Sequence, residues 1–343
     1  MKKNSASIVS LAMAALVGGV IPYLFQSQGM PIPRKVNSAS PVAPASAPNE
    51  YVISRVAGFQ RTRPLLSVDR ASASARFEGL RASLASLVDG LKSSGQLTSA
   101  SVYVEDMQRG EWTGFNTLER YDPGSMMKVT LLLTYLSMAE EIPGFLERTW
   151  TCDPMVLQAP TQHIFPERQA QPNLSYSVAQ LLELMIVYSD NRATAVLLQH
   201  VPSGRYVRTF TDLGLPAPVQ HGGSYMMNAR DYSVFMKALY HSSLLSPISS
   251  EYALSLMLRS TWKHGLLAGL PPGVEVAHKF GESTDAQGHQ LHETGLIYAE
   301  NGPYLITVMT RGPDETALPG VVAGISDLVY AHMLRDIALA AHP

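Results

Sequence analysis

The chain of 343 residues contains only one cysteine, Cys152, and few charged side chains. One thiol cannot form a disulfide within the chain, and we interpret Cys152 as a small packing residue near Trp150. Charged residues make up 16% of the sequence, and the formal net charge is −2. The sequence therefore lacks the basic footprint of a nucleic-acid-binding protein. A hydrophobic fraction of 46% is enough for a substantial core.

The first 29 residues have the pattern of an export signal. Lys2 and Lys3 precede an apolar run from Ile8 to Phe25, which suits a signal peptide and is just long enough to span a bilayer. A cleaved signal peptide and an uncleaved membrane anchor are both compatible with this pattern. In either case we expect the rest of the chain outside the cytoplasm, in the periplasm, on the outer face of the membrane or secreted, because the lysines stay inside.

Residues 30–73 have a different composition. The stretch from Met30 to about Pro48 is rich in proline, alanine and serine, and such a segment cannot bury a core. Residues 51–73 are ambiguous, and "RTRPLL" within them can lie over a neighbouring domain. We interpret 30–73 as a linker and lead-in, followed by one folded domain at residues 74–343.

The order of helical and strand patterns in this domain predicts an α+β fold. A helical pattern from Arg76 to Gly95 precedes a hairpin with its turn at Gln108–Gly110. Helical segments fill the middle of the chain, and three strand patterns precede a last helix. Strands from both ends can share one antiparallel sheet, with the terminal helices on one face and an all-helical lobe beyond it. We expect the active site between the sheet and that lobe.

The stretch "YDPGSMMKVTLLLTYL" places Ser125 in the first turn of an apolar helix and Lys128 three residues later. Side chains at this spacing share a helix face. A desolvated lysine can take the proton of the serine, and the N–H of Ser125 can help to hold an oxyanion. The alternative is a helix-capping serine and a lysine that reaches to solvent.

Two further short patterns carry chemistry. In "YSDN", Ser189 can relay a proton to a leaving nitrogen, Asn191 can hold a substrate amide or Lys128, and the carboxylate between them more plausibly braces the turn. In "HKFGES", Lys279 supplies positive charge for a substrate carboxylate. Gly281 lets a substrate approach the strand edge, and the N–H of Glu282 can be a second oxyanion donor. Each pattern alone is also common in ordinary helix starts and strands.

Together the patterns are specific. The order Ser-x-x-Lys, Ser-Asp-Asn, Lys-x-Gly resembles the set of the class A β-lactamases and penicillin-binding proteins. The flanking segments "ERYDPGSMMKV", "LSYSVAQLLELMIVYSDNRATAVLL" and "AGLPPGVEVAHKFGE" are also similar to that family. The resemblance runs from about Ser74 to the C-terminus. It implies acylation of Ser125, with Lys128 as base and Ser189 as proton shuttle.

The chain departs from the family at two positions. Residues 192–230 contain no glutamate, whereas class A β-lactamases use one on a loop to activate the deacylating water. Phe280 occupies the position of a small hydroxyl residue in the third motif, and it can crowd the site or point away. Four residues are candidates for a replacement base that activates the deacylating water: Glu282, Glu293, His221 and His292.

No cofactor is expected, and no metal. The segment "HQLHE" lacks the spacing of a zinc helix and is expected in a turn. The leading hypothesis is a monomeric serine hydrolase acting on a small-molecule β-lactam or a peptidoglycan peptide, with possible membrane anchoring by the N-terminal segment and no nucleic-acid partner. A D-alanyl-D-alanine peptidase, a stably acylated penicillin-binding sensor module and an inactive enzyme are the alternatives, and the sequence does not decide between substrates.

Overall fold

The structure is a computed structural model that describes residues 51–56, 65–156, 162–218 and 225–340. The strands in these ranges are β1 (Tyr51–Arg55), β2 (Leu65–Arg70), β3 (Ser99–Asp106), β4 (Glu111–Phe115), β5 (Thr149–Thr151), β6 (Ser175–Ser177), β7 (Glu275–Asp285), β8 (Gly288–Ala299) and β9 (Gly302–Gly312). The α-helices are α1 (Glu78–Ser93), α2 (Lys128–Glu141), α3 (Val178–Val187), α4 (Asn191–His200), α5 (Ser203–Asp212), α6 (Ala229–Tyr240), α7 (Pro247–Leu258) and α8 (Leu318–Ala340).

The central sheet joins the two ends of the domain. Within the described ranges, five antiparallel strands pair in the order β4-β3-β9-β8-β7, so β7 is an edge strand. Successive side chains of a strand face opposite sides of the sheet. On β3, Val102 and Val104 belong to one hydrophobic cluster and Tyr103 to the other. The predicted α+β architecture is therefore confirmed, with strands from both ends of the chain in one sheet.

The terminal helices α1 and α8 cover one face of this sheet. Buried residues Leu80, Leu84 and Val88 recur every four positions on α1, which gives the helix one apolar face. A short 3-10 turn precedes α1, and the hydroxyl of Ser74 accepts a hydrogen bond from its backbone. The α1 and α8 side chains form one cluster with those of the sheet face beneath them. We call these two helices the terminal-helix layer.

Helices α2 to α7 form the helical lobe on the opposite face. Helix α2 is buried on nearly all sides, as expected for a helix that is apolar all round. A capping box of Ser177 and Gln180 starts α3. Asn228 caps α6, with Asp231 in its first turn. These caps fix where the chain enters the lobe, and α6 packs on the central sheet.

The segment 51–73, which the sequence analysis assigned to the linker and lead-in, contains structure. Strands β1 and β2 form an antiparallel hairpin that docks on the domain. Asp69 accepts a hydrogen bond from Lys237 of α6 at 2.7 Å, and the Trp112 indole donates to Arg70 O at 2.7 Å. The hairpin is stabilised by these long-range partners, which local composition does not reveal. Strands β5 and β6 pair as a second antiparallel hairpin outside the central sheet.

The predicted export segment and residues 30–50 of the linker lie outside the described residues. Among the helices of the described ranges, none has both the length and the apolar character needed to cross a bilayer.

Removal of the Lys237 ammonium tests the docking of the hairpin. Lys237 is buried and contacts the partly exposed Asp69 and the buried Glu105, so Lys237→Met removes the cation that pairs with the buried Glu105 carboxylate. Loss of one partner of a buried ion pair costs about 3–5 kcal/mol. We expect the free energy of unfolding, measured by urea denaturation, to fall by about 3 kcal/mol.

Arg259→Met is the matched control for this measurement. Arg259 pairs with Glu183 at the surface, where an ion pair contributes about 0–1 kcal/mol. An equal loss of stability in both variants would contradict the proposed role of Lys237.

Candidate active site

Ser125 lies in a 3-10 turn, Gly124–Met127, which leads directly into α2. We predicted Ser125 in the first turn of the α-helix, but the α-helix begins only at Lys128. The side chain of Asp122 accepts a hydrogen bond from the N–H of Gly124 at 3.0 Å and one from Ser283 of β7 at 3.0 Å. Asp122 therefore attaches the serine turn to β7. Ser125 itself is buried, with 6% of its surface exposed.

The two lysines of the motifs meet at one hydroxyl. Lys128 Nζ lies 3.1 Å and Lys279 Nζ lies 2.8 Å from Ser189 Oγ. Lys128 also donates to Ser189 O at 2.6 Å and to Asn191 Oδ1 at 2.7 Å. The tertiary structure thus brings three distant motifs into one hydrogen-bonded group. Within the described residues, neither amine donates to the Ser125 hydroxyl.

Burial weakens the proton affinity of both amines. The desolvation of Lys128 lowers its pKa to about 7, although the negative charges of Asp190 and Glu282 oppose this shift. Burial lowers the pKa of Lys279 well below its usual value, and the neighbouring Lys128 lowers it further. A neutral amine is therefore accessible near neutral pH, which a general base in this pocket requires.

The Ser-Asp-Asn turn is held in a specific backbone conformation. Ser189 has φ = 58°, a left-handed conformation that is uncommon for residues other than glycine. Asp190 caps α4 through Arg192 N and Ala193 N, and it also accepts a hydrogen bond from Ala170 N. The interpretation that Asp190 braces the turn agrees with these contacts. Its neighbours Ser189 and Asn191 consequently face Lys128.

Two glycines allow β7 to approach the serine turn. A Cβ atom on Gly281 would lie 2.3 Å from Pro123 O, 2.7 Å from Met126 N and 3.0 Å from Ser125 N. A Cβ atom on Gly124 would lie 2.2 Å from Glu282 O. The close approach predicted for Gly281 is therefore to the serine turn itself. It places the main chain of β7 beside the N–H of Ser125.

Phe280, which replaces the hydroxyl residue of the third motif, packs against an aromatic side chain. Its ring stacks on Trp262 with a centroid distance of 4.6 Å, and it is part of the cluster beneath the terminal-helix layer. Lys279 Nζ is 4.1 Å from the centroid of the Phe280 ring and donates to Phe280 O. The third motif thus keeps its lysine in contact with the Ser189 hydroxyl but offers no hydroxyl at position 280.

The candidate replacement bases are engaged in other contacts or lie outside the described residues. Glu293 is buried and binds His278, Trp262 and Leu266 N, so it is a structural carboxylate. The imidazole of His292 accepts from Thr310 N and donates to Asp122 O, and burial lowers its pKa to about 3. It therefore remains neutral and structural. His221 lies outside the described residues.

The fourth candidate, Glu282, contacts a loop. Its Oε1 accepts hydrogen bonds from His163 N at 3.1 Å and Ile164 N at 3.0 Å. The segment "HQLHE" begins strand β8 and is not the expected turn. In the part of the chain that the structure describes, no group of three or more His, Cys, Asp or Glu side chains is arranged to hold a metal ion.

A cavity of about 360 Å³ opens beside Ser125. Asn191 and Glu282, both predicted site residues, also line it. Within the described residues the Nδ2 of Asn191 has no hydrogen-bond partner, so it is available to a ligand carbonyl. His163, Ile164, Trp262 and Glu315 also line this cavity.

Sequence reasoning missed the residues that support the serine turn. Gln290 accepts a hydrogen bond from Asp122 N, and Tyr121 pairs with Met227 through two backbone hydrogen bonds. The "DPG" letters before Ser125 are a turn signal that indicates a capping role for Asp122. Nothing in the local sequence indicates its partners on β7 and β8.

The comparison with known proteins agrees with this geometry. The model of the β-lactamase enzyme family matches residues 80–333, which include all the site residues described above. The chain belongs to the β-lactamase enzyme family. It is a serine hydrolase of the β-lactamase type, and the resemblance drawn from its three motifs is confirmed.

Solved structures share the fold at low sequence identity. PBP-A is 22% identical with a TM-score of 0.63, and the match covers 77% of this chain and 99% of that chain. A PBP-A mutant in its acyl-enzyme complex with penicillin G is 24% identical with a TM-score of 0.62, covering 75% and 97%. A class A β-lactamase from Mycobacterium abscessus is 20% identical with a TM-score of 0.63, covering 74% and 98%. No curated protein sequence matches the chain.

The lowered pKa of Lys128 predicts the pH dependence of acylation. Only the neutral amine can accept the Ser125 proton, and its pKa is about 7. Below this pH we expect the labelling rate with a fluorescent penicillin to fall about tenfold for each pH unit, and above it to level off. Lys128→Met, which has no amine, is expected to label negligibly throughout. A flat profile in the unmodified protein would exclude Lys128 as the base.

Gly281→Ala tests the close approach of β7 to the serine turn. The added Cβ would meet the backbone of the turn at 2.3 Å and must displace it. A displacement of this kind lowers reaction rates by about a hundredfold, which we expect for the labelling rate of Ser125. Gly79→Ala is the matched control, because a Cβ at position 79 meets no heavy atom within 4 Å. Equal labelling of the two folded variants would contradict the assignment.

Proposed function

We propose that the protein forms an acyl-enzyme through Ser125 and hydrolyses β-lactam or related amide bonds. The observation that carries this proposal is the shared contact of Lys128 and Lys279 with the Ser189 hydroxyl, at 3.1 and 2.8 Å. Such a chain of buried proton-carrying groups beside a serine suits general base catalysis.

Each step of acylation can be assigned to a residue. Neutral Lys128 takes the proton of Ser125 as the hydroxyl oxygen attacks the carbonyl carbon of the substrate. The N–H groups of Ser125 and Glu282 hold the oxyanion of the tetrahedral intermediate. Ser189 passes the proton from Lys128 to the leaving nitrogen, the carbon–nitrogen bond breaks, and the acyl-enzyme ester remains.

The binding roles follow from the same pocket. Asn191 holds Lys128 with its Oδ1 and offers its Nδ2 to the amide of the substrate. Lys279 supplies the positive charge for the substrate carboxylate, without help from a hydroxyl at position 280. Gly281 lets the serine turn lie against β7, so that the N–H groups of Ser125 and Glu282 can act on the same substrate carbonyl.

The chain lacks the glutamate that activates the deacylating water in class A β-lactamases. Residues 192–230 contain no glutamate. In the part of the chain that the structure describes, the carboxylates lining the cavity are those of Glu282 and Glu315, and Glu282 already accepts two backbone hydrogen bonds. We therefore propose that the acyl-enzyme hydrolyses more slowly than it forms.

The missing glutamate also favours a second candidate function. A D-alanyl-D-alanine peptidase acting on peptidoglycan needs the same nucleophile and lysine but no such glutamate. A stably acylated penicillin-binding sensor module is the limiting case in which the ester persists. Both share the first half of the reaction with the leading proposal.

We further propose that the protein is exported and works as a monomer. The support for export is the pair of N-terminal lysines followed by the apolar run up to Phe25. A β-lactam or a peptidoglycan peptide would be met in the periplasm, at the outer face of the membrane or in the medium.

A two-probe experiment separates these functions. The purified protein is incubated with a chromogenic cephalosporin and a fluorescent penicillin, and both the burst and the steady state are followed. We expect a burst equal to the enzyme concentration, followed by slow multiple turnover. A burst without turnover favours a peptidase or a sensor, and release of D-alanine from a muropeptide distinguishes between those two.

Ser125→Ala is the variant that decides whether the serine is the nucleophile. It is expected to show neither labelling nor a burst, because the hydroxyl that forms the ester is gone. Labelling of Ser125→Ala at the rate of the unmodified protein would refute the acyl-enzyme mechanism.

A further inference from the structure

A loop segment crosses the edge of the active-site cleft. We call residues 162–170 the strap. At its start, Gln162 Nε2 donates to Ser189 O at 3.2 Å, on the side of the helical lobe. Two residues later, the side chain of Ile164 packs against the hydrophobic cluster beneath the terminal-helix layer. Three consecutive residues therefore span the cleft from one layer of the domain to the other.

Contacts on both sides hold the strap in this position. The N–H groups of His163 and Ile164 both donate to the carboxylate of Glu282, at 3.1 and 3.0 Å. The imidazole of His163 lies 2.7 Å from the carboxylate of Glu315, which precedes α8. At the other end, Ala170 N donates to Asp190 at 2.8 Å. The strap is thus attached to β7, to the start of the terminal-helix layer and to the Ser-Asp-Asn turn.

The attachment point on β7 is close to the reaction centre. Glu282 directly follows Gly281, whose main chain contacts the serine turn. Strand β7 is the edge strand of the sheet, and a free strand edge is where an extended ligand can add its own main chain. The strap binds the side chain of Glu282 on this strand, and His163 and Ile164 line the cavity together with Ser125.

The strap forms part of the wall of the cavity beside Ser125 and limits its size. His163 and Ile164 line it together with Ser125, and its volume is about 360 Å³. Ligand pockets range from about 300 to 1,000 Å³, so this volume suits a compact ligand. A substrate with a long substituent along β7 would have to displace the strap from Glu282.

We propose that the strap, held by Glu282, is a specificity determinant that restricts acylation of Ser125 to compact amide and β-lactam substrates. This inference rests on the proposed function of Ser125. A substrate of the size of a bare β-lactam nucleus fits beneath the strap. A substrate that carries a large acyl group or a polymer strand along the edge of β7 reacts slowly, because the strap must first move.

The test compares two acylating probes of different size. The compact probe is aminopenicillanic acid, and the bulky probe is a penicillin with a large fluorophore on its amide side chain. Acylation of the full chain is followed with both probes by intact-protein mass spectrometry. The readout is the ratio of the bulky to the compact rate constant, which removes any common effect on catalysis.

Two variants release the strap by different routes. Glu282→Ala removes the acceptor of both strap amides, and the double variant His163→Ala/Ile164→Ala removes the Glu315 pair and the packing contact. We expect each to raise the ratio at least about tenfold. The double variant alters no residue assigned to the chemical step, and because His163 and Ile164 line the cavity, its effect is measured by the ratio and not by the compact rate alone. Glu167→Ala is the matched control, because Glu167 is an exposed strap residue without a described partner.

The outcomes separate this inference from the proposed function. An unchanged ratio in both folded variants, with Ser125 still acylated, would overturn the strap proposal and leave the acyl-enzyme proposal standing. A rise of the same size in Glu167→Ala would also overturn it, because the attachment points would then be irrelevant. Failure of both probes to acylate the unmodified protein would refute both proposals.

Discussion

The placement of two lysine amines in a water-poor pocket is the constraint on which the rest of this active site depends. Lys128 and Lys279 are almost fully buried, and both reach the hydroxyl of Ser189. Two charged amines at this distance repel each other, and burial penalises the charged form of each. The pocket therefore favours loss of a proton from one of them. The Ser189 carbonyl and the Asn191 amide oxygen orient the Lys128 amine, and the Phe280 carbonyl orients the Lys279 amine.

This arrangement needs two layers that hold their spacing. The serine turn and the Ser-Asp-Asn turn lie at the ends of lobe helices, whereas Lys279 lies on the edge strand of the sheet. Gly124 and Gly281 let the sheet come close enough for the amines to share one hydroxyl. Beneath them, Asp122 connects the serine turn to β7 and β8 through Ser283, Gln290 and His292. The site is thus a contact between two well-packed clusters.

The features that distinguish this chain within its family lie at the rim of the site. Phe280 and Trp262 form a stacked pair where a hydroxyl would assist carboxylate binding. Glu282, which is free of any assigned role as a side chain in the acylation step, fastens the strap instead. The loop that carries the deacylating glutamate in class A β-lactamases has no glutamate here. Under the proposed function, these changes bear on substrate entry and on the release of the ester, while Ser125, the two lysines and the Ser189 hydroxyl keep the motif pattern.

The sequence by itself determined the fold class and indicated the central candidate site residues. Periodicity and capping residues marked the helices, and the three motifs indicated Ser125, Lys128, Ser189, Asn191 and Lys279, because catalytic groups on helix and strand ends leave short local patterns. Only the tertiary structure decided the rest. The N-terminal hairpin, the support of the serine turn by Asp122, the structural roles of Glu293 and His292, and the attachment of the strap to Glu282 all depend on partners far away in the chain. Such contacts are selected by packing and burial across the sheet, and no local pattern encodes them.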